Sequence, residues 1–129
     1  MIFLEWEKID YIFEKYLERM KMNIEYIYLI REREFSYLNK PIYKLGRTNN
    51  IKNRMNSYPK DSDVYLVEPV SDNVSIEKAL IEIFEERYQR ATTEDGVTTI
   101  GNEYFVGNLD EMIYIIRTYI RYHYPSHFV

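Results

Sequence analysis

The sequence predicts an α+β fold, a small three-stranded antiparallel sheet flanked by helices, with an added helix at either end. Three observations predict it. β-Branched and aromatic residues concentrate in short runs at 24–31, 42–46 and 64–68, the composition of sheet strands. Apolar residues recur at helical spacing over 2–20, 76–89 and 108–122, the signal of amphipathic helices. No internal repeat or low-complexity linker interrupts the 129 residues, a length that suits one hydrophobic core.

The opening stretch carries Ile2, Trp6, Ile9, Ile12, Phe13, Tyr16, Leu17 and Met20 at helical intervals, with charged residues opposite. This helix, within residues 1–22, precedes the first strand and reads as an addition to a core spanning 24–107. It and the C-terminal helix are the natural candidates for dimer contacts. The first strand is Ile-Glu-Tyr-Ile-Tyr-Leu-Ile-Arg. A polar connection ending at Asn39-Lys40-Pro41 leads to the second, Ile-Tyr-Lys-Leu-Gly, so the two can pair as an antiparallel hairpin with a long loop. Gly46 ends that strand where backbone freedom or close approach is needed. Asn49 or Asn50 can cap a short helix running to about Ser57, with Ile51 and Met55 on its buried side.

Pro59 and Asp61-Ser62-Asp63 form a loop, and Val64–Glu68 is the third strand, stopped by Pro69. Ser75 is expected to cap a helix over 76–89 whose inner face carries Ile76, Leu80, Ile83, Phe84 and Tyr88. The stretch from Ala91 to Gly101 is polar, with Glu94-Asp95-Gly96 as a turn. Residues 103–106 read as a short edge segment. Asn108 with Glu111 three residues on is a capping-box pattern. It opens the C-terminal helix, within 108–124, which Pro125 ends.

Composition excludes several classes. At 46% hydrophobic and 29% charged residues, the chain is neither disordered nor fibrous. Without cysteine it has no disulfide framework, thiolate zinc site or cysteine nucleophile. No apolar run approaches the ~20 residues of a membrane span. The N-terminus, Met-Ile-Phe-Leu-Glu-Trp-Glu-Lys, shows no basic n-region or small-residue cleavage site of a signal peptide. An intracellular or virion location is expected, with no membrane partner, and Asn73-Val74-Ser75 reads as a helix entry rather than a glycosylation site. His123 and His127 flank Pro125 with no acid beside them, which is a poor metal pair. No serine has histidine and acid partners at a recognisable spacing, and with 4 glycines there is no glycine-rich phosphate loop.

Charge is unevenly distributed. The net charge is −4, yet residues 40–60 hold Lys40, Lys44, Arg47, Lys52, Arg54 and Lys60 and no acid. Residues 61–95 hold ten acids and three bases. A local basic block in an acidic chain suits a confined phosphate site; a solvated surface patch is the plainer reading. The 14 tyrosines suit either stacking on nucleic acid or a core with polar tips at its rim.

One set of segments is more specific. Tyr26-Ile27-Tyr28 lies on the first strand and Lys44-Leu45-Gly46-Arg47-Thr48 closes the second. Arg54 follows the glycine by eight residues, and Glu77 sits in what should be the first turn of the next helix. Together they resemble the GIY-YIG nuclease superfamily, in particular the phage and large-DNA-virus branch whose second signature reads Lys-Ile/Leu-Gly-Arg-Thr. Gly101-Asn102-Glu103-Tyr104-Phe105 also resembles a Gly-x-Glu-aromatic-Phe segment of that branch. The resemblance covers about residues 24–107. It departs in three respects. Tyr26 stands where glycine is usual, the first connection is longer, and Lys44 stands where many members carry tyrosine.

The resemblance implies metal-dependent endonucleolytic or nicking hydrolysis of phosphodiester bonds in DNA or RNA, and its phage and large-DNA-virus branch points to a virus-encoded protein. It implies that Glu77 holds one Mg²⁺ or Mn²⁺, a hard ion suited to a single carboxylate with waters and phosphate oxygen. Arg54 would bond the non-bridging oxygens, which a guanidinium fits geometrically. Tyr28 would orient or deprotonate water. Residues 26 and 28 share a strand face, so choosing Tyr28 over Tyr26 rests on motif alignment. A phenol is a poor base at its usual pKa of ~10; Lys44, if it faces the same side, would lower that value. Tyr26, Arg47, Thr48, Lys52, Lys60 and Asn102 would contact nucleic acid. Glu77 is expected to be exposed. The alternatives are a catalytically weak nucleic-acid-binding module and a virion-associated structural protein. Residue by residue, Tyr28 could be an ordinary sheet residue, Arg54 a surface cation, and Glu77 a carboxylate favoured by the helix dipole.

Overall fold

The computed structural model describes residues 9–15 and 24–123. Helical residues 9–15 (α1) precede β1 (Glu25–Arg31), α2 (Arg33–Tyr37), β2 (Ile42–Thr48), α3 (Ile51–Asn56) and β3 (Asp63–Val70). Then come α4 (Asn73–Arg87), β4 (Gln89–Arg90), β5 (Tyr104–Val106) and α5 (Leu109–His123). The strands form one sheet in the order β3-β1-β2-β5-β4, with every pairing antiparallel. The α+β class is as expected. The sheet, however, has five strands rather than three.

The two extra strands have a local cause. Tyr88 leaves α4 in an extended conformation (φ −127, ψ 158), so the chain turns straight into Gln89–Arg90 and pairs with Phe105 and Val106. Residues 103–106 therefore do not form an edge: β5 lies between β2 and β4. The returning loop closes as expected around Glu94-Asp95-Gly96. The Asp95 carboxylate accepts from Val97 N and Thr98 N at 2.8 Å and from the Thr93 and Thr98 hydroxyls, and these bonds hold it far below the usual carboxylate range. The connection after β1 contains the unforeseen α2, fixed by Ser36 Oγ donating to Asp63 at 2.7 Å.

The core lies on one face of the sheet. Residues alternate along strands, so Ile27 and Leu29 of β1, Tyr43 and Leu45 of β2 and Leu66 of β3 point to the same side. They meet Ile76, Leu80 and Phe84 of α4 and Met112, Ile116 and Ile120 of α5, both sets spaced four apart. The starts of α4 and α5 differ from expectation, whereas that of α3 does not. Asp72, not Ser75, caps α4, accepting from Ser75 N at 3.2 Å, so the helix begins earlier and Glu77 lies beyond its first turn. Asn50 caps α3, accepting from Asn53 N. Asn108 does accept from Glu111 N at 2.9 Å, but Glu111 turns to Arg87 and Tyr88 of α4 instead of completing a capping box.

The opposite face of β1 and β2 carries Tyr28, Ile30, Lys44 and Gly46. Tyr28 lies directly across from Gly46, and a methyl group on Gly46 would overlap the Tyr28 ring. Close approach is therefore why glycine stands there, and β2 continues past it to Thr48. Gly46→Ala should cost about 1–3 kcal/mol, as overpacking of a rigid site does, and tilt the Tyr28 ring; urea unfolding measures the first effect.

β5 pairs with β2 only through Ile42, Tyr43 and Lys44, followed by Leu45 N donating to Glu103 O at 3.0 Å. Among the described residues, Gly46–Thr48 pair only with β1, which leaves the β2 edge open beyond Leu45. Of the N-terminal helix expected over 2–20, Ile9, Ile12 and Phe13 are exposed; the remaining positions, like Pro125 and His127, lie outside the described residues.

Candidate active site

Two groups of side chains flank the open β2 edge. On one face, α3 and the turn after it bring Arg54 and Tyr58 onto Tyr28. The Tyr28 and Tyr58 hydroxyls are 2.5 Å apart, and their rings meet edge to face at 6.0 Å. Arg54 lies within hydrogen-bonding reach of both phenols. Lys44 Nζ sits over the Tyr58 ring at 4.9 Å and the Tyr104 ring at 5.4 Å, a pair of cation–π contacts.

Burial dominates the chemistry of these phenols. Tyr28 is fully buried. Desolvation, then the bond to Tyr58, push its pKa well above 10.0, and the charges of Lys44 and Arg54 only partly oppose this. The expectation that Tyr28 ionises below its usual value is thus reversed, because desolvation outweighs one ammonium. Tyr58 is also raised, mainly by burial, but its bonds to Tyr28 and Arg54 pull it down.

On the other face, α4 presents Glu77 toward the end of β2. The expectation of an exposed carboxylate fails: Glu77 is 9% exposed, because it faces the sheet rather than solvent. Its Oε1 pairs with Arg47 Nε at 3.4 Å, while Oε2 is buried without a hydrogen-bond partner. Burial and the charge of Glu103 raise its pKa; Arg47 and Lys44 lower it. Lys44 is a lesser lowering influence on both Tyr28 and Glu77, outweighed in each by burial. Glu77 and Arg47 also line a cleft of about 430 Å³ along α4 with Val74 and Lys78, which gives the carboxylate an approach from solvent.

A hard divalent cation fits this chemistry. Glu77 has one oxygen engaged and one orphaned, and its neighbouring acid makes positive charge welcome. No cluster of three or more acidic or histidine ligands occurs among the described residues, so any such ion would take much of its coordination from water and substrate oxygen.

The other expected contact residues separate. Lys52 and Lys60 are exposed on the Arg54 side, and Lys60 lines a second cleft of about 420 Å³ with Ile30, Met55, Tyr58 and Pro59. Tyr26 is half-buried on the Tyr28 face, across from Thr48. Three residues are otherwise occupied. Thr48 is buried, and its hydroxyl bonds to the Asn50 backbone. Arg47 engages Glu77. Asn102 accepts from Arg90 at 3.0 Å. Sequence reasoning missed Tyr58, although its position four after Arg54 is a one-turn spacing. It also gave no role to Glu103, though its segment was noted.

The sequence pattern of the T5orf172 domain matches residues 25–120. The chain belongs to the T5orf172 family. T5orf172 domains are associated with nuclease-type domains of the GIY-YIG kind, so the broad nuclease-like resemblance stands. The T5orf172 match takes in Tyr28, Lys44, Arg54, Tyr58, Glu77 and Glu103. No curated protein matches the chain, and no solved structure does. No helix among the described residues is long and apolar enough to cross a membrane.

Proposed function

We propose that this T5orf172 protein is a metal-dependent endonuclease or nickase acting on DNA, of the branch with the Lys-Leu-Gly-Arg-Thr second signature. The observation that carries the reading is geometric: the Tyr28–Tyr58 hydrogen bond with Lys44 over the Tyr58 ring on one face of β2, and buried Glu77 paired with Arg47 at its open edge. A phosphodiester lying along that edge meets Arg54 on one side and Glu77 on the other.

Each side chain has a definable task. Arg54 holds non-bridging oxygens by charge-assisted hydrogen bonds. Glu77, through Oε2, holds Mg²⁺ or Mn²⁺, which when bound neutralises charge developing on the phosphate and the leaving oxygen. Tyr28, kept protonated at neutral pH by its burial, shares a hydrogen bond with Tyr58 and fixes the position of that phenol. Tyr58, beside Arg54, receives the water's proton once ionised. Lys44 limits the cost of that negative charge. Lys52 and Lys60 extend the positive surface from which phosphate contacts come, with affinity that falls as salt rises.

Supercoiled plasmid incubated with the protein and Mg²⁺ or Mn²⁺ tests the reading. Nicked circles that disappear with EDTA support it. Salt-sensitive binding without any cleavage would instead fit a nucleic-acid-binding module that keeps the fold.

A further inference from the structure

Glu77 is not alone on its face of α4. Asn73 lies one turn earlier, and residues four apart on a helix are neighbours on one surface. Asn73 is 1% exposed and Glu77 9%. Both engage the end of β2. Asn73 Nδ2 donates to Asn49 Oδ1 at 3.0 Å, while Glu77 Oε1 pairs with Arg47 Nε. Asn49 lies in the bend that follows β2, and its bond to Asn73 brings that bend against the same helix face as Arg47.

Each of the two buried side chains then has one oxygen left over. Asn73 Oδ1 and Glu77 Oε2 are both buried with no hydrogen-bond partner. Buried polar oxygens are almost always satisfied, and two orphans on adjacent positions of one helix face are unexpected. Neither oxygen can donate while Glu77 is ionised, so what satisfies both must offer positive charge or hydrogens. A neutral amide oxygen beside a carboxylate is a common pairing in hard-cation sites.

We infer that Asn73 Oδ1 is a second protein ligand of the divalent cation assigned to Glu77. The inference rests on the metal site of the proposed function and extends it: the protein holds the ion by two oxygens from one helix. Asn49 acts as a positioning residue, because its bond to Nδ2 leaves the Asn73 carbonyl oxygen free to face the site.

Mn²⁺ titration followed by water-proton relaxation tests this without reference to activity. The parent, Asn73→Leu, Asn73→Asp and Glu77→Gln are compared, with circular dichroism reporting folding. Asn73→Leu should weaken Mn²⁺ binding about tenfold or more, on the scale seen when metal-site partners are removed. Asn73→Asp should tighten it by adding charge to a ligand already in place. Should Asn73→Leu fail to fold, Asn73→Asp decides alone, and binding no tighter than the parent's rejects the inference. If Glu77→Gln abolishes binding while both Asn73 variants bind like the parent, the metal site stands and Asn73 is not a ligand. If the parent itself binds no Mn²⁺, both the inference and the Glu77 metal site are wrong.

Discussion

Glu77→Gln lowers metal-dependent cleavage about a thousandfold or more while leaving the folded protein at least as stable as the parent. The first effect follows from removing the carboxylate proposed to hold the cation, since losing one aimed electrostatic group typically costs about 10²–10³ in rate and a lost cation adds to that. The second follows from burial. Ionised Glu77 is desolvated and near Glu103, with its pKa raised above 4.5. A carboxyl raised on folding contributes stability below its unfolded pKa, and this is lost as pH rises through the folded value. The parent without metal should therefore lose stability relative to Glu77→Gln as pH rises above about 4.5. Below that range the two should converge. Glutamine can still accept from Arg47, so the Oε1 contact survives. Thermal unfolding with EDTA across pH measures the stability effect. A variant markedly less stable than the parent at neutral pH would mean that the Arg47–Glu77 pair is a structural clasp.

Tyr28→Phe should lower the cleavage rate by up to about 10²–10⁴, the range of general-base catalysis, because it removes the hydroxyl that positions Tyr58. Its pH dependence separates this account from a phenolate at position 28. Because burial holds Tyr28 above its usual value of 10.0, the parent's rate should climb through neutral pH with no plateau attributable to Tyr28 below about 10. Lys44 Nζ sits over the Tyr58 ring, so Lys44→Met should shift the rising limb set by Tyr58 to higher pH. A pH–rate series at saturating Mn²⁺ on the parent and both variants checks these expectations. A parent plateau near pH 8 that vanishes in Tyr28→Phe would show that Tyr28 ionises easily despite its burial. A Lys44→Met profile overlaying the parent would confine Lys44 to its stacking contacts.

Much of this was legible in the chain because short-range signals carried it. β-Branched runs marked β1, β2 and β3, and the four-residue spacing of Ile76, Leu80 and Phe84 marked the inner face of α4. What escaped depended on partners distant in sequence. Nothing local to Gln89–Arg90 says strand; it becomes one because β5 offers a pairing edge. Glu77 looked exposed because helix position alone does not reveal which way a face turns. Its burial follows from α4 turning that face to the sheet, where it meets Arg47, thirty residues earlier. Tyr28 looked acidified because Lys44 is visible in sequence, whereas desolvation is not. Thr48 looked like a contact residue but closes the turn into α3. Gly46 was understood in kind, and the Tyr28 ring across the strand pair supplies the reason.

The central claim is that side chains on opposite faces of the sheet act as one site across the open β2 edge. Single-turnover plasmid nicking by the parent, Glu77→Gln, Tyr28→Phe and the double variant tests it most directly. Groups that act as a unit lose their effects together. The account predicts that the double variant is scarcely slower than the worse single variant. Losses that multiply in full would show that Glu77 and Tyr28 work independently and would contradict it.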